Sequence, residues 1–254
     1  MKMPANKVQS AAAALLLWMM LGAVGQGAVD TPVVIRVRAN DAKFIGSHVG
    51  EMNVVVEDAG SGALLASGRI SGGTGDTDRL IKQPLSRGSR LSDDMTAAFV
   101  AHLKIDQPTR IRVRVTGPLA QAQSTQELTV TTWVVPGRPV EGDGIVLNLP
   151  GLIVTPVSHV AKSGRLTVTA DVTLMCGCPI TRDGPWSAAD YEVRALVSPA
   201  GGTPTQTALE FTGAANRFSG TAPLTASGPH EVTVWAHNAK TGNTGVARFS
   251  FDAP

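Results

Sequence analysis

Leu166-Thr167-Val168-Thr169-Ala170-Asp171-Val172-Thr173-Leu174 alternates apolar and polar side chains without a break. A period of two puts every second side chain on one face of a strand, so this stretch has one face for a core and one for water. The same reading extends outward in both directions. Downstream, the apolar phase continues at Tyr191, Val193, Ala195 and Val197, at Leu209 and Phe211, at Phe218, at Val232, Val234 and Ala236, and at Ala247, Phe249 and Phe251. Upstream it runs through Ile35, Val37 and Ala39, through Met52, Val54 and Val56, through residues 63–70, through Phe99, Ala101 and Leu103, and through Ile111, Val113 and Val115. Residues 128–135 add a Thr-rich strand containing Trp133. Beyond the first 25 residues there is no long apolar stripe at helical period. Many short strands punctuated by Gly and Pro predict an all-β protein of two antiparallel β-sandwich domains in tandem.

The chain has 254 residues, 43% hydrophobic and 17% charged, with 27 Gly, 16 Pro and 2 Cys. That is too apolar for a disordered chain and too poor in cysteine for a disulfide scaffold or a Cys-only zinc site. Lys2 and Lys7 precede an apolar run, residues 11–24, and the small residues Ala23, Gly25, Gly27 and Ala28. This order predicts a signal peptide over residues 1–25, and the run is shorter than the ~20 residues of a comfortable membrane span. Removing Lys2 and Lys7 balances acids and bases. A neutral mature chain argues against nucleic acid as a partner, and after loss of the leader nothing in it predicts integral membrane insertion.

The expected organisation is a first sandwich over residues 29–136, a semi-rigid Pro/Gly-rich connector over 137–162, and a second sandwich over 163–254. Within the connector, Ile145, Leu147 and Leu149 are apolar enough to pair along a sheet edge, and Leu152 and Val154 to sit between the domains. Near the end of the chain Val234, Trp235, Ala236, Asn238, Gly242, Asn243 and Gly245 resemble the end of a bacterial immunoglobulin-like or fibronectin-type repeat. The resemblance covers roughly the last 25 residues and implies an immunoglobulin-like second domain. The antibody-type Cys–Trp–Cys spacing is missing.

Met175-Cys176-Gly177-Cys178-Pro179 is the most unusual motif. Gly177 permits a dihedral closed to other residues, and Pro179 restricts the exit. The first reading is a local Cys176–Cys178 disulfide closing a tight turn. The second is a soft metal site for copper, with Met175, Cys176 and Cys178 as ligands and His159 as a candidate outside ligand. A redox-active pair is the third, although no helix N-terminus is expected there to lower a thiol pKa. Downstream, Asp183, Trp186 and Asp190 form a candidate binding loop, in which Trp186 either stacks on a glycan or packs as a hinge. Trp133 and Trp235 read as structural anchors. Arg36 and Arg38 share one strand face, and Arg110, Arg112 and Arg114 share another. If those strands were neighbours, five guanidinium groups would make a basic face; otherwise they are solvent-side positions balanced by acids on adjacent strands.

No Gly-x-Ser-x-Gly elbow and no His-Glu-x-x-His occurs. The function expected is therefore an exported, periplasmic or secreted, non-catalytic binding or structural protein without a cofactor, acting through contacts with another envelope or extracellular protein. The alternatives are a periplasmic copper-binding protein and a glycan-binding module.

Overall fold

The computed structural model describes residues 27–254. The expected signal peptide over residues 1–25 lies outside the described residues. Fifteen strands follow in chain order: β1 (Val29–Ala39), β2 (Met52–Asp58), β3 (Leu64–Ile70), β4 (Phe99–Ile105), β5 (Thr109–Gly117), β6 (Gln126–Val134), β7 (Val140–Leu149), β8 (Leu152–Lys162), β9 (Arg165–Leu174), β10 (Tyr191–Pro199), β11 (Thr205–Ala208), β12 (Glu210–Phe211), β13 (Arg217–Pro223), β14 (Gly228–Asn238) and β15 (Thr244–Ala253). They form four sheets, ordered β4-β1-β7, β3-β2-β5-β6, β12-β13-β9-β8 and β11-β10-β14-β15. The sheets group into two sandwich-like regions, one from β1–β7 and one from β8–β15. Among the described residues, no helix is long and apolar enough to cross a membrane.

The alternation decides what is inside. Val33, Ile35 and Val37 of β1 and Val54, Val56, Ile111, Val113 and Val115 of the facing sheet are fully buried. In the second region Leu166, Val168, Ala170 and Val172 are buried on β9, opposite Ala195, Val232, Val234 and Ala236. Each such Val or Leu side chain contributes about 1.5–3 kcal/mol relative to leaving it in water.

Two features differ from the expectation. Strand pairing is not wholly antiparallel, because β7 runs parallel to β1, from Val33↔Val140 to Ala39↔Leu149. A parallel neighbour needs a long connection, and here β2–β6 supply it. In addition, the segment expected as a connector is two strands. Residues 140–149 belong to the first region and 152–162 to the second, where β8 pairs antiparallel with β9. Only the turn Pro150–Gly151 separates them. Of the Pro and Gly residues that suggested a joint, Gly137 and Pro139 precede β7, Gly142 and Gly144 sit at a bulge, Pro150 and Gly151 form this turn, and Pro156 lies at a register shift within β8. Gly142 and Gly144 have φ of 68° and 71°, and the register between β1 and β7 jumps there from Val33↔Val140 to Ile35↔Ile145.

The turn is fastened across the two regions. The Asn243 carboxamide accepts the Gly151 amide at 3.0 Å and the Asn40 amide side chain at 3.2 Å, and donates to the Asn40 carbonyl at 3.1 Å. Gln123 treats the edge of β15 as a neighbouring strand would, accepting the Arg248 amide at 2.7 Å and donating to its carbonyl at 3.3 Å. The Asn243 bonds come from the loop between β14 and β15, whose tip Asn238 shapes by accepting the Lys240 amide at 2.9 Å.

Candidate functional site

The Met175–Pro179 motif lies where the two regions meet. β9 ends at Leu174, whose carbonyl accepts the Gly177 amide at 2.7 Å, and Gly177 has φ of 72°. A disulfide joins Cys176 and Cys178, whose Cα atoms are 5.3 Å apart. Both cysteines are buried. The apex of the turn presses on the first region: a Cβ added at Gly177 would overlap His48 Nε2 and lie 2.8 Å from Val49 Cγ1. Only glycine meets both the dihedral and the close approach.

Residues 180–190 fold back over this junction. The Ile180 amide donates to Asn216 Oδ1 at 2.8 Å. Trp186 is 7% exposed, and its indole N–H donates to the Asp41 carbonyl across the boundary at 2.9 Å. A cavity of about 200 Å³ remains between the regions, lined by Lys43, His48, Thr74 and Thr77 on one side and by residues 176–179 and Trp186 on the other. Lys43 Nζ donates to Thr77 Oγ1 at 3.0 Å. Among the described residues, no three His, Cys, Asp or Glu side chains stand together as a ready cation site.

The other residues singled out from the sequence are dispersed. Met175 is buried with its methyl against Gly151 and does not line the cavity. His159 stacks on Phe249 with centroids 5.0 Å apart. It lies seven positions along β8 from Leu152, the partner of Leu174. At about 3.3 Å per residue, that is roughly 20 Å from the cysteines. The imidazole beside the turn is His48, which no pattern in the sequence marks. In the candidate binding loop, Trp186 is buried and held at the junction by its bond to Asp41. Asp190 pairs with Lys240 at 2.6 Å, and Asp183 is exposed at the tip.

The five arginines share no face, because β1 and β5 belong to different sheets. Arg36 is 5% exposed. Its guanidinium donates to the Thr96 and Ala97 carbonyls and pins the loop before β4. Burial lowers its pKa, with Asp143 opposing. Asp143, at the bulge of β7, grips the same loop: its carboxylate accepts the Leu91 and Ser92 amides and the Ser92 hydroxyl at 2.8–3.0 Å. Burial alone would raise its pKa, but those bonds and Arg36 outweigh it and hold the carboxyl below its ordinary value. Arg38 donates to the Ala42 carbonyl at 2.7 Å. On β5, Arg112 and Arg114 reach Glu57 at 3.7 and 3.3 Å. Arg110 lies opposite Trp133 of β6.

Trp133 departs from its expected role as an anchor. It is 64% exposed on the outer face of an edge strand, because β6 turns Leu128 and Val130 inward and sends the odd-numbered positions outward. Val135, next along the chain on that side, is also exposed. Elsewhere, a cavity of about 330 Å³ opens on the flank of the second region over Tyr191, Leu209, Phe211 and Phe218, with Arg182 and Glu210 at its mouth. Burial pushes the Tyr191 hydroxyl up to about 12, with a hydrogen bond from Asn238 opposing.

No family model matches the chain, and no curated protein matches it. Among solved structures, the chicken interferon gamma receptor alpha chain aligns at 12% identity over 89% of this chain and 100% of that one, with a TM-score of 0.37. A DUF3823 family protein from Bacteroides ovatus aligns at 10% identity over 87% of this chain and 97% of that one, with a TM-score of 0.32. Likeness at this level extends no further than an all-β architecture.

Proposed function

We propose that the chain is an exported, non-catalytic protein that binds another envelope or extracellular protein, and that the outer face of the β3-β2-β5-β6 sheet around Trp133 is its contact surface. The exposed indole of Trp133 carries this reading. A tryptophan costs free energy when left in water, and Trp and Arg dominate the well-packed centres of protein interfaces. Here Trp133 stands beside Arg110, for which no ion pair occurs among the described residues, and the neighbouring Arg112 and Arg114 are balanced by Glu57 and Glu127. The edge position of β6 adds unpaired backbone groups that a partner can meet. The fastened turn at Pro150–Gly151 suits a rigid module that presents this face at a fixed angle to the second region.

The glycan alternative requires an exposed Trp186 and is not favoured by the position of that ring at the junction. The test is a photo-crosslinking residue placed at position 133 or, as control, at the exposed position 206 of β11, in the full chain expressed in cells. The expected result is a discrete adduct from position 133 that Arg110→Ala weakens and position 206 does not give. Equal, diffuse crosslinking from both positions would overturn the proposal.

A further inference from the structure

We infer that the flank cavity over Tyr191 is a binding site for a small apolar carboxylate, its body against Phe211 and Phe218 and its carboxylate on Arg182. The site is on the second region, whereas the Trp133 face belongs to the first. It opens where that second sandwich is not closed. β11 and β12 are edge strands of its two sheets, and the chain crosses between them at Leu209. β12 is only Glu210–Phe211, so little of the flank there is covered by strand. The cavity of about 330 Å³ falls within the ~300–1,000 Å³ range of small-ligand pockets. Its apolar lining belongs to the core: Ala188, Tyr191, Leu209 and Phe218 are buried. Half-buried Phe211 stands edge-on to Phe218, with ring centroids 5.5 Å apart.

The polar end of the site is one guanidinium. Arg182 Cζ stands 6.0 Å from the centroid of the Phe211 ring, at the outer limit of a cation–π contact. Arg182 has no ion-pair partner among the described residues, so its planar fork is free to take a carboxylate through two parallel bonds. Its segment is held in place. The Thr181 amide donates to the Trp186 carbonyl at 3.1 Å, the Ala188 amide to the Thr181 carbonyl at 2.8 Å, and the Ser187 hydroxyl to the Arg182 carbonyl at 3.2 Å. A receptor fixed before binding loses less freedom when the ligand arrives. Glu210 also borders the cavity, but the period of two along β12 turns its side chain away from that of Phe211. Burial pushes the Tyr191 hydroxyl up to about 12, so it stays neutral and does not oppose an anion. The Ser187 hydroxyl is spent on the Arg182 carbonyl and the Tyr191 hydroxyl on Asn238. A single charged donor beside an apolar bed suits one anionic head on an apolar body rather than a polyhydroxylated ring.

Tyr191 is the one tyrosine of the chain, so isotope-labelled tyrosine gives a single ring environment in nuclear magnetic resonance that reports on this cavity. The full chain carrying that label would be titrated with hydrocinnamate and, separately, with the neutral hydrocinnamamide. The acid is expected to shift the ring signals saturably, and the amide to bind about tenfold more weakly or worse. Arg182→Gln, a change at an exposed position, should weaken the acid by a similar factor and leave the amide unaffected. A short peptide ending in a free phenylalanine carboxylate separates two sources of the same chemistry. Tighter binding of the peptide than of hydrocinnamate would assign the site to a protein C-terminus, and the reverse order to a free small acid; both orders support the inference. It is wrong if neither carboxylate gives a saturable shift, if acid and amide bind equally, or if Arg182→Gln keeps full affinity for the acid. Saturation by methyl glucoside with no response to either carboxylate would assign the cavity to a glycan and also overturn it.

Discussion

Asp143 shows how one side chain can organise a long loop. The segment between β3 and β4 has no sheet of its own to satisfy its backbone, and Asp143 and Arg36 meet it from β7 and β1. The Asp143 carboxyl is held below its ordinary pKa despite partial burial. A group with a lower pKa folded than unfolded stabilises the fold fully above its unfolded value, near 4, and loses that contribution as pH falls through the folded value. Stability to urea is therefore expected to be flat with respect to Asp143 above about pH 5 and to decline in more acid solution. Asp143→Asn should lower the neutral-pH stability by about 1–3 kcal/mol, since charged acceptors make the stronger bonds. It should also flatten the acid limb, and urea midpoints measured across acid and neutral pH for both proteins would show it. An acid limb unchanged by the substitution would remove Asp143 from this role.

The bulge of β7 depends on two glycines in different ways. Gly142 has φ of 68° with open space around the point where a Cβ would stand, whereas at Gly144 that Cβ would overlap the Val34 carbonyl oxygen and lie 2.7 Å from its carbon. Gly142→Ala is expected to cost about 1–2 kcal/mol, the penalty of a left-handed dihedral alone. Gly144→Ala adds a backbone collision and must push β7 off β1, so it should be clearly the more destabilising of the two. Denaturant melts of the pair would rank them, with hydrogen exchange at the β1 amides rising only in Gly144→Ala. Equal effects would mean that the close approach to Val34 is relieved at no cost. The same bulge explains why residues 141–144 look like loop in the sequence: a stretch that lifts out of register and back carries no period-two signal.

Between the two sandwich-like regions, side chains such as Asn243 and Trp186 make the joining contacts. Asn243 serves the Gly151 amide and both polar groups of Asn40, and Trp186 and the disulfide turn close on residues 41 and 48–49. The full chain is expected to unfold in one calorimetric transition. Asn243→Ala leaves the Gly151 amide and the Asn40 side chain short of partners, for a loss of about 1–3 kcal/mol. It should split or broaden the transition, so that the calorimetric enthalpy exceeds the van't Hoff enthalpy. A single transition merely shifted to lower temperature would show that the coupling runs mainly through Trp186 and the cysteine turn.

The strands, their inward residues and the local disulfide were legible from residues alone. Side-chain alternation is a property of neighbours in the chain, and so is the reach of two cysteines separated by one glycine. The parallel pairing of β7 with β1, the burial of Arg36, the exposure of Trp133 and the arrival of His48 at Gly177 were not legible. Arg36 and Arg38 have the pattern of an exposed pair, and only the loop folded over β1 makes one of them internal. Trp133 follows the outward phase of its strand, and its solvation depends on what packs beyond the sheet edge. His48 and Gly177 are far apart in the chain, and no local spacing encodes their contact. Which side chains face a core is written in the order of residues, because it follows from backbone period and solvation. Which faces then meet, and therefore where chemistry is assembled, depends on contacts between distant segments and emerges only when the two regions pack against each other.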